Sequence, residues 1–216
     1  MCNLYSLSKG PAAMIELAGA MTNHAGNLEP GKVWPDYPAA IVRHSEGGRE
    51  LVRARWGMPS PQFVLKGRKT DKGVTNVRNA ASPHWRRWLG TDNRCLVPAT
   101  SFAEPAREKD PETGRKGNHW FAIGDDRPLF FFAGIWTNWT SVRKLKEGEV
   151  TADLYAFFTT EPNAVVAPIH PKAMPVILTK PDEIETWLTA PWEEARALQR
   201  PLSDDGLIEV MEEEFA

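Results

Sequence analysis

The sequence predicts an α+β fold, with strands and helices in one domain and an antiparallel sheet at its first hairpin. Two observations lead to this prediction. Short apolar or alternating segments recur through most of the chain and are separated by glycine- and proline-rich turns, which is typical of antiparallel strands. Stretches with helical periodicity are few and short, and most of them lie near the ends of the chain.

The N-terminal part of the chain predicts one helix and one β-hairpin. Ser8 can cap a helix over Pro11–Met21, in which apolar residues recur at helical spacing. Gly47–Gly48 forms a turn between strands at Ala39–Arg43 and Glu50–Trp56, and the second strand alternates in side-chain type. The sheet is therefore expected to be antiparallel here.

A short helix and several strands are expected in the middle of the chain. The helix begins at Ser82 and runs to about Leu89. Leu129–Trp136 is almost wholly apolar, which favours a central strand covered on both faces. Gly124–Asp126 is expected to be the hairpin turn that joins this strand to the preceding one. The other predicted strands are Gly73–Arg78, Cys95–Phe102 and His119–Ile123.

The C-terminal part alternates apolar strands with helical segments. Leu154–Thr160 reads as a buried strand, and Pro162–Val166 as a single helical turn. A strand at Met174–Leu178 then precedes helices at Pro181–Leu188 and Pro191–Gln199. The chain contains neither an internal repeat nor a low-complexity tract.

Length and composition limit the classes of function. The 216 residues suit a single domain, 1–216, and the net charge of −2 excludes a uniformly basic surface, so any nucleic-acid site must be a local patch. The two cysteines form no CxxC pair, which indicates neither a disulfide framework nor a zinc site. With no basic leader and no apolar run of about 18 residues, we expect a soluble cytoplasmic protein without a membrane partner. We also expect a monomer that uses neither a metal nor another cofactor.

The start of the chain offers an unusual nucleophile. Cys2 is small enough for Met1 to be trimmed, and it would then carry an α-amine and a thiol on adjacent carbons. Their ordinary pKa values are about 8 and about 8.5, so a useful fraction of each is reactive near neutral pH. Such a 1,2-aminothiol condenses with an aldehyde to a thiazolidine ring. Taken alone, a cysteine at position 2 is more often incidental, so the rest of the chain must decide.

Four further residues are candidates for chemistry by type and setting. Asn76 and Arg78 lie two apart in a predicted strand, so that both face the same side, where they suit a phosphate or carbonyl ligand or simply an exposed edge. Glu104 ends an apolar strand, and burial there would raise its pKa into the range for proton transfer, although a lone glutamate beside a loop is more often a surface residue. His170 is held between Ile169 and Pro171, as a general acid or base or as a structural histidine.

The short helix at residues 82–89 combines cations with aromatic rings. Arg86 and Arg87 alternate with Trp85 and Trp88, and phosphate contact together with base stacking is what a single-stranded nucleic acid requires. The same alternation also describes an amphipathic helix whose tryptophans belong to the core.

Taken together and in order, Met1-Cys2, Asn76-x-Arg78, a strand that ends in Glu104, and Ile169-His170 before Met174-Pro175 resemble the SRAP family (SOS response-associated peptidase). The resemblance extends from Cys2 to about Leu178 and on into the closing helices. Members of this family process abasic sites by cross-linking themselves to single-stranded DNA. The resemblance implies a curved, barrel-like, mostly antiparallel sheet with peripheral helices.

The resemblance also implies roles for individual residues. Cys2 would be the nucleophile once Met1 is removed, and Asn76 would orient it and the sugar. Glu104 would assist Schiff-base formation and proton transfer, while His170 would help to open the deoxyribose ring or reverse the link. Among the residues expected to contact DNA, Arg78 would hold a phosphate. The expected DNA contacts are Arg78, Arg86, Trp56 and Lys172.

The chain departs from the family pattern mainly where DNA is expected to bind. Asn3-Leu4 replaces the frequent Gly-Arg, so one phosphate-binding arginine is absent, and Asn79-Ala80 stands where an acidic residue is usual. The segment His170–Pro175 is one residue longer than the family form, with Lys172 as the substitute cation.

These observations predict an abasic-site processing protein of the DNA-damage (SOS) response. It would bind abasic single-stranded DNA, use lyase-like Schiff-base chemistry and form a thiazolidine cross-link through Cys2, in association with the nucleoid during repair. Two other classes remain open: an N-terminal-nucleophile thiol hydrolase or peptidase, and a non-catalytic single-stranded DNA-binding module.

Overall fold

The structure is a computed structural model that describes residues 2–20, 22–109 and 111–215. The strands formed by these residues are β1 (Tyr5–Leu7), β2 (Thr22–Asn23), β3 (Gly31–Val33), β4 (Pro38–Ser45), β5 (Gly48–Trp56), β6 (Asn76–Val77), β7 (Arg94–Ala99), β8 (Ser101–Pro105), β9 (Asn118–Ala122), β10 (Phe130–Val142), β11 (Glu149–Thr160), β12 (Met174–Pro175), β13 (Ile177–Leu178) and β14 (Ile208–Val210).

Helices are short and lie around the strands. The α-helices are α1 (Pro11–Ala18), α2 (Gln62–Leu65), α3 (Pro181–Thr189) and α4 (Trp192–Ala195). Single 3₁₀ turns occur at Arg86–Trp88, Thr91–Asn93, Arg196–Leu198 and Asp204–Gly206. Among the described residues, no helix has the length and apolar character needed to cross a membrane.

Five strands close into a barrel. The antiparallel pairs β11–β10, β10–β7, β7–β4 and β4–β5 form a curved sheet. The ring is completed by a parallel pairing of β5 with β11, in which Arg55 lies opposite Leu154 and Trp56 opposite Tyr155. Closure leaves these five strands without a free edge over the paired stretch. The predicted α+β class with a barrel-like core is confirmed.

The apolar run at the start of β10 shows why the barrel needs cover on both sides. Phe130 and Phe132 belong to the apolar cluster that also contains Cys2, whereas Phe131 belongs to the cluster that contains Trp187 of α3. Because successive strand residues point to opposite faces, both faces of β10 are buried. The prediction of a doubly covered strand is confirmed.

A second sheet carries the N-terminus. Its strand order is β14-β9-β8-β1-β3, and β1 pairs antiparallel with both β8 and β3. The chain passes from the barrel to this sheet at Thr100, between β7 and β8. Tyr5 of β1 contacts the ring of Phe132 edge-on at 5.6 Å, which locks the second sheet against the barrel.

Several predicted elements differ from those observed in their extent. The predicted strand at Cys95–Phe102 is two strands, because the chain changes sheets at Thr100. The predicted strand at Gly73–Arg78 is reduced to a bridge at Val74 and to β6. The helix predicted at residues 82–89 is a set of turns that ends in a 3₁₀ turn.

Two predicted local contacts are wrong. Gly124–Asp126 does turn the chain, but the flanking strands β9 and β10 enter different sheets and form no hairpin. Ser8 does not cap α1; Gly10 is the N-cap residue, and the Ser8 hydroxyl donates instead to Thr100 Oγ1 at 3.1 Å. The helix ends at Ala18, before Gly19 with φ of 58°, and the predicted end at Met21 lies outside the described residues.

Candidate active site

Cys2 is buried in the segment that leads into β1. Its side chain is 1% exposed, and its Sγ donates to the carbonyl oxygen of Leu4 at 3.4 Å. The neighbouring strand fixes this segment, because the amide of Ala103 donates to the same carbonyl at 2.9 Å. Burial raises the pKa of the Cys2 thiol well above its usual value, and the charge of Glu104 raises it further. The thiol is therefore neutral in this state of the chain.

Glu104 occupies β8, which pairs with β1, the strand that follows Cys2. It pairs with His119 of β9 across the sheet, and its side chain is fully buried. Burial raises the pKa of this carboxyl to about 7. A carboxyl group with such a pKa can both donate and accept a proton near neutral pH.

His170 approaches Glu104 from a different part of the chain. Its Nε2 lies 3.6 Å from Oε2 of Glu104, and its own partial burial lowers the imidazole pKa. Asn163 fixes the loop before His170 by two hydrogen bonds. Its Oδ1 accepts from the Val166 amide at 3.1 Å, and its Nδ2 donates to the carbonyl oxygen of Leu202 at 3.2 Å. The His170 amide then donates to Val166 O at 2.8 Å. The predicted turn at Pro162–Val166 thus fixes the backbone next to His170, whose imidazole lies beside the Glu104 carboxyl group.

Arg107 is a site residue that the sequence analysis missed. It follows Glu104 by three residues, beyond the end of β8, and its Nε and Nη2 donate to the carbonyl oxygens of Ile169 and Ala167, both at 3.2 Å. Its charge also lowers the pKa of His170, after the effect of burial. A cation close behind a strand-end carboxylate was the available signal, but its target carbonyls lie about 60 residues away.

Asn76 presents a buried amide without a partner. The residue is 4% exposed, and within the described part of the chain neither Oδ1 nor Nδ2 forms a hydrogen bond. Thr75 places it near the N-terminus, because the Thr75 hydroxyl donates to Asn3 Oδ1 at 3.0 Å. Buried amide groups without partners are rare and costly in folded proteins. The position therefore suits a group that a ligand would pair with.

The expected DNA contacts fall into two groups. Arg78, Arg86 and Lys172 are exposed, and the charge of Lys172 contributes to the lowered pKa of His170. Trp56 is fully buried: it stacks on Phe157 at 5.2 Å and donates through Nε1 to the Thr75 carbonyl at 3.0 Å. A ring without exposed surface cannot stack on a base, so the DNA contact predicted for Trp56 is corrected to a core role.

The aromatic residues of the segment at 82–89 are also internal. Trp85 and Trp88 are 6% and 4% exposed, while Arg86 and Arg87 face outward. The alternation of Trp and Arg is therefore amphipathic, and only its cations are available to a ligand. In the described residues, no group of three or more His, Cys, Asp or Glu side chains could hold a metal ion.

Comparison with solved structures agrees with this architecture. A crystal structure of a protein from Bordetella bronchiseptica shares 24% identity and a TM-score of 0.71, covering 97% of this chain and 100% of that one. A protein from Bacteroides thetaiotaomicron shares 22% identity and a TM-score of 0.69, covering 96% and 90%. A phage-related protein from Bordetella bronchiseptica shares 20% identity and a TM-score of 0.66, covering 98% and 95%. None of the curated proteins matches the chain.

Fold and site together define an α+β barrel protein in which a carboxyl group and an imidazole from later parts of the chain lie near the buried cysteine at position 2. The profile of the family described as SOS response associated peptidase (SRAP) matches residues 1–212. The chain belongs to this family, as the resemblance predicted.

Proposed function

We propose that this protein processes abasic sites in single-stranded DNA by forming a covalent cross-link through Cys2 after removal of Met1. The observation that carries the proposal is the convergence of Glu104 and His170, 3.6 Å apart, on the strand pair that buries Cys2. Membership of the SRAP family supports it further.

The chemistry follows from the groups that meet at this point. An abasic deoxyribose in its open form carries an aldehyde at C1′. The α-amine of Cys2 adds to this carbon, and the carbinolamine loses water to give an imine. The thiol then adds to the same carbon while its proton passes to the nitrogen, which closes a thiazolidine ring. The overall reaction joins protein and DNA with release of one water molecule.

The neighbouring side chains fit these steps. Glu104, with a pKa of about 7, can deliver the proton that the departing hydroxyl needs and can later take one from the thiol. His170 has a lowered pKa and is therefore a neutral base near pH 7, suited to removing the proton that opens the sugar ring. The Asn76 amide, which has no partner among the described residues, offers both a donor and an acceptor to the sugar.

A single mixing experiment tests the proposal. Purified protein, shown by intact mass to lack Met1, is incubated with an oligonucleotide that contains one abasic site. We expect a denaturation-resistant adduct whose mass is the sum of protein and DNA less one water. Cys2→Ala should abolish this adduct, whereas Cys95→Ala, which changes the other buried cysteine, should retain it. A tetrahydrofuran analogue, which lacks the aldehyde, should give no adduct.

Other outcomes identify the competing functions. Turnover of a peptide or amide substrate, lost in Cys2→Ala and with no DNA adduct, would identify a thiol hydrolase. Salt-sensitive binding of single-stranded DNA that survives Cys2→Ala, again with no adduct, would identify a binding module. Either result would overturn the cross-linking proposal, and so would an adduct formed equally well by protein that retains Met1.

A further inference from the structure

A groove lies beside Asn76, where the chain leaves β6 and meets the C-terminal helical segment. Its volume is about 560 Å³, and its lining includes Arg78, Trp192, Arg196 and Gln199, together with the carboxylate-bearing Glu193. Arg78 comes two residues after Asn76, so the groove begins about 7 Å along the chain from the candidate site.

The two arginines of the groove, Arg78 and Arg196, differ from several others in the described chain in their lack of an ionic partner. In the part of the chain that the structure describes, neither the Arg78 nor the Arg196 guanidinium takes part in an ion pair. Several other arginines form ion pairs, such as Arg55 with Asp36 and Arg200 with Glu183. Guanidinium groups left free in a concave surface are suited to phosphate oxygens, which they bind in a bidentate manner.

The groove also contains an aromatic face and rigid walls. Trp192 is half-buried and packs its indole against Phe158 at 5.8 Å, which fixes the ring while part of it lines the groove. Gln199 Nε2 donates to the carbonyl oxygens of Arg78 and Thr159, both at 2.9 Å, and so ties the helical segment to β6 and β11. Walls fixed in advance reduce the entropic cost of binding a flexible strand.

We propose that this groove binds the single-stranded DNA next to the reacting nucleotide, with phosphates on Arg78 and Arg196 and a base stacked on Trp192. A cationic groove with a stacking ring is the combination that single strands require. The inference rests on the proposed function, and it gives the strand a second cation, Arg196, in a chain where Leu4 stands in place of a phosphate-binding arginine.

The test measures non-covalent binding, so that it does not depend on the cross-linking chemistry. In the Cys2→Ala background, the affinity for a labelled single-stranded oligonucleotide is measured by anisotropy at several salt concentrations. We expect Arg196→Gln to weaken binding about three- to tenfold and to lower the salt slope by about 0.7, and Arg196→Glu to weaken it more. Arg68→Gln is the matched control, because Arg68 is an exposed arginine far from the groove. Its segment runs to Asp71, whose amide donates to Val142 at the turn of the β10–β11 hairpin, whereas the groove lies near the other end of β11.

The stacking role of Trp192 is tested in two ways: by a substitution, and by photo-cross-linking of the unaltered protein. Trp192→Leu should weaken binding at least about fivefold. Since Trp192 also packs on Phe158, its substitution affects packing as well as stacking, and a second experiment leaves the protein unaltered. A photoreactive base placed next to the lesion should cross-link within residues 192–199.

The alternatives give distinct results. Affinity and salt slope equal to those of Arg68→Gln in both Arg196 variants would overturn the inference, whether or not the wild-type protein cross-links. Arg196-dependent binding of a deoxynucleoside monophosphate without any effect on the oligonucleotide would overturn it as well and would identify a small-molecule phosphate site. Loss of the wild-type adduct alone would contradict the proposed function and leave the groove measurements intact.

Discussion

His170 Nε2 and Glu104 Oε2 lie 3.6 Å apart, although 66 residues separate them in the chain. Glu104 is fixed in the second sheet, whereas His170 is carried by a loop between β11 and β12. The pair therefore forms only when both sheets and the loop are in place, and its ionisation is coupled to folding.

The first prediction concerns the pH dependence of stability. The carboxyl pKa of Glu104 is about 7 in the folded chain against 4.5 ordinarily. Between these values the folded chain holds a proton that the unfolded chain has released, so the free energy of unfolding falls as pH rises. Glu104→Gln removes this loss. From about pH 5 to about pH 8 its stability relative to wild type should increase by about 2 kcal/mol in urea titrations. Glu161→Gln, at an exposed position, is the control measured in parallel, and a pH-independent difference for Glu104→Gln would refute the assignment.

The second prediction concerns thiol reactivity in a chain that keeps Met1. Cys2 and Cys95 are 1% and 0% exposed, and burial raises the pKa of both thiols. Both should react with a disulfide reagent about a hundredfold more slowly in the native chain than in the denatured one, the factor set by a local opening free energy of about 3 kcal/mol. Rapid release of one chromophore equivalent from the native chain would contradict this expectation.

The third prediction compares two buried asparagines. Among the residues that the structure describes, the Asn76 amide has no hydrogen-bond partner, whereas the Asn163 amide is bonded at both ends. Asn76→Leu should leave the free energy of unfolding unchanged or raise it by about 1 kcal/mol, while cross-linking falls at least about tenfold. Asn163→Leu should lower stability by about 2 kcal/mol or more. Equal losses of stability in chemical denaturation would show that Asn76 is a structural residue.

The fourth prediction concerns Arg107 as a positioning residue for His170. Arg107→Gln removes a positive charge near the imidazole and weakens the hold on the carbonyls of Ile169 and Ala167. The pKa of His170 should rise, as followed by histidine resonances in an NMR titration, and the pH profile of cross-linking should shift upward with it. Arg115→Gln, in the same exposed stretch, is the control. An unchanged histidine titration would exclude this role.

Much of the fold was accessible from local patterns. The strands β4, β5, β10 and β11 follow from alternation and apolar runs, and Cys2, Glu104 and His170 follow from residue type and strand position. What local patterns do not determine is the choice of partner. Gly124–Asp126 turns the chain as its composition requires, yet β9 and β10 join different sheets because their apolar faces are completed by distant strands.

The same reason accounts for the misassigned side chains. Trp56 was expected to contact DNA from the family resemblance, but closure of the barrel by β5 and β11 brings Tyr155 and Phe157 over its ring. Arg107 looked like one charge among many in a surface segment, and only the tertiary fold supplies the carbonyl oxygens that it binds.

The position of β1 has a mechanical consequence for any molecule attached to Cys2. β1 is an inner strand of the second sheet, bonded to β8 on one side and to β3 on the other, and Ser6 Oγ contacts Ser101 Oγ at 2.5 Å. Tension on an attached DNA strand would load the backbone bonds on both flanks of β1 in shear. Such a load would therefore be shared between β3 and β8 before the segment that carries Cys2 could be pulled out of the sheet.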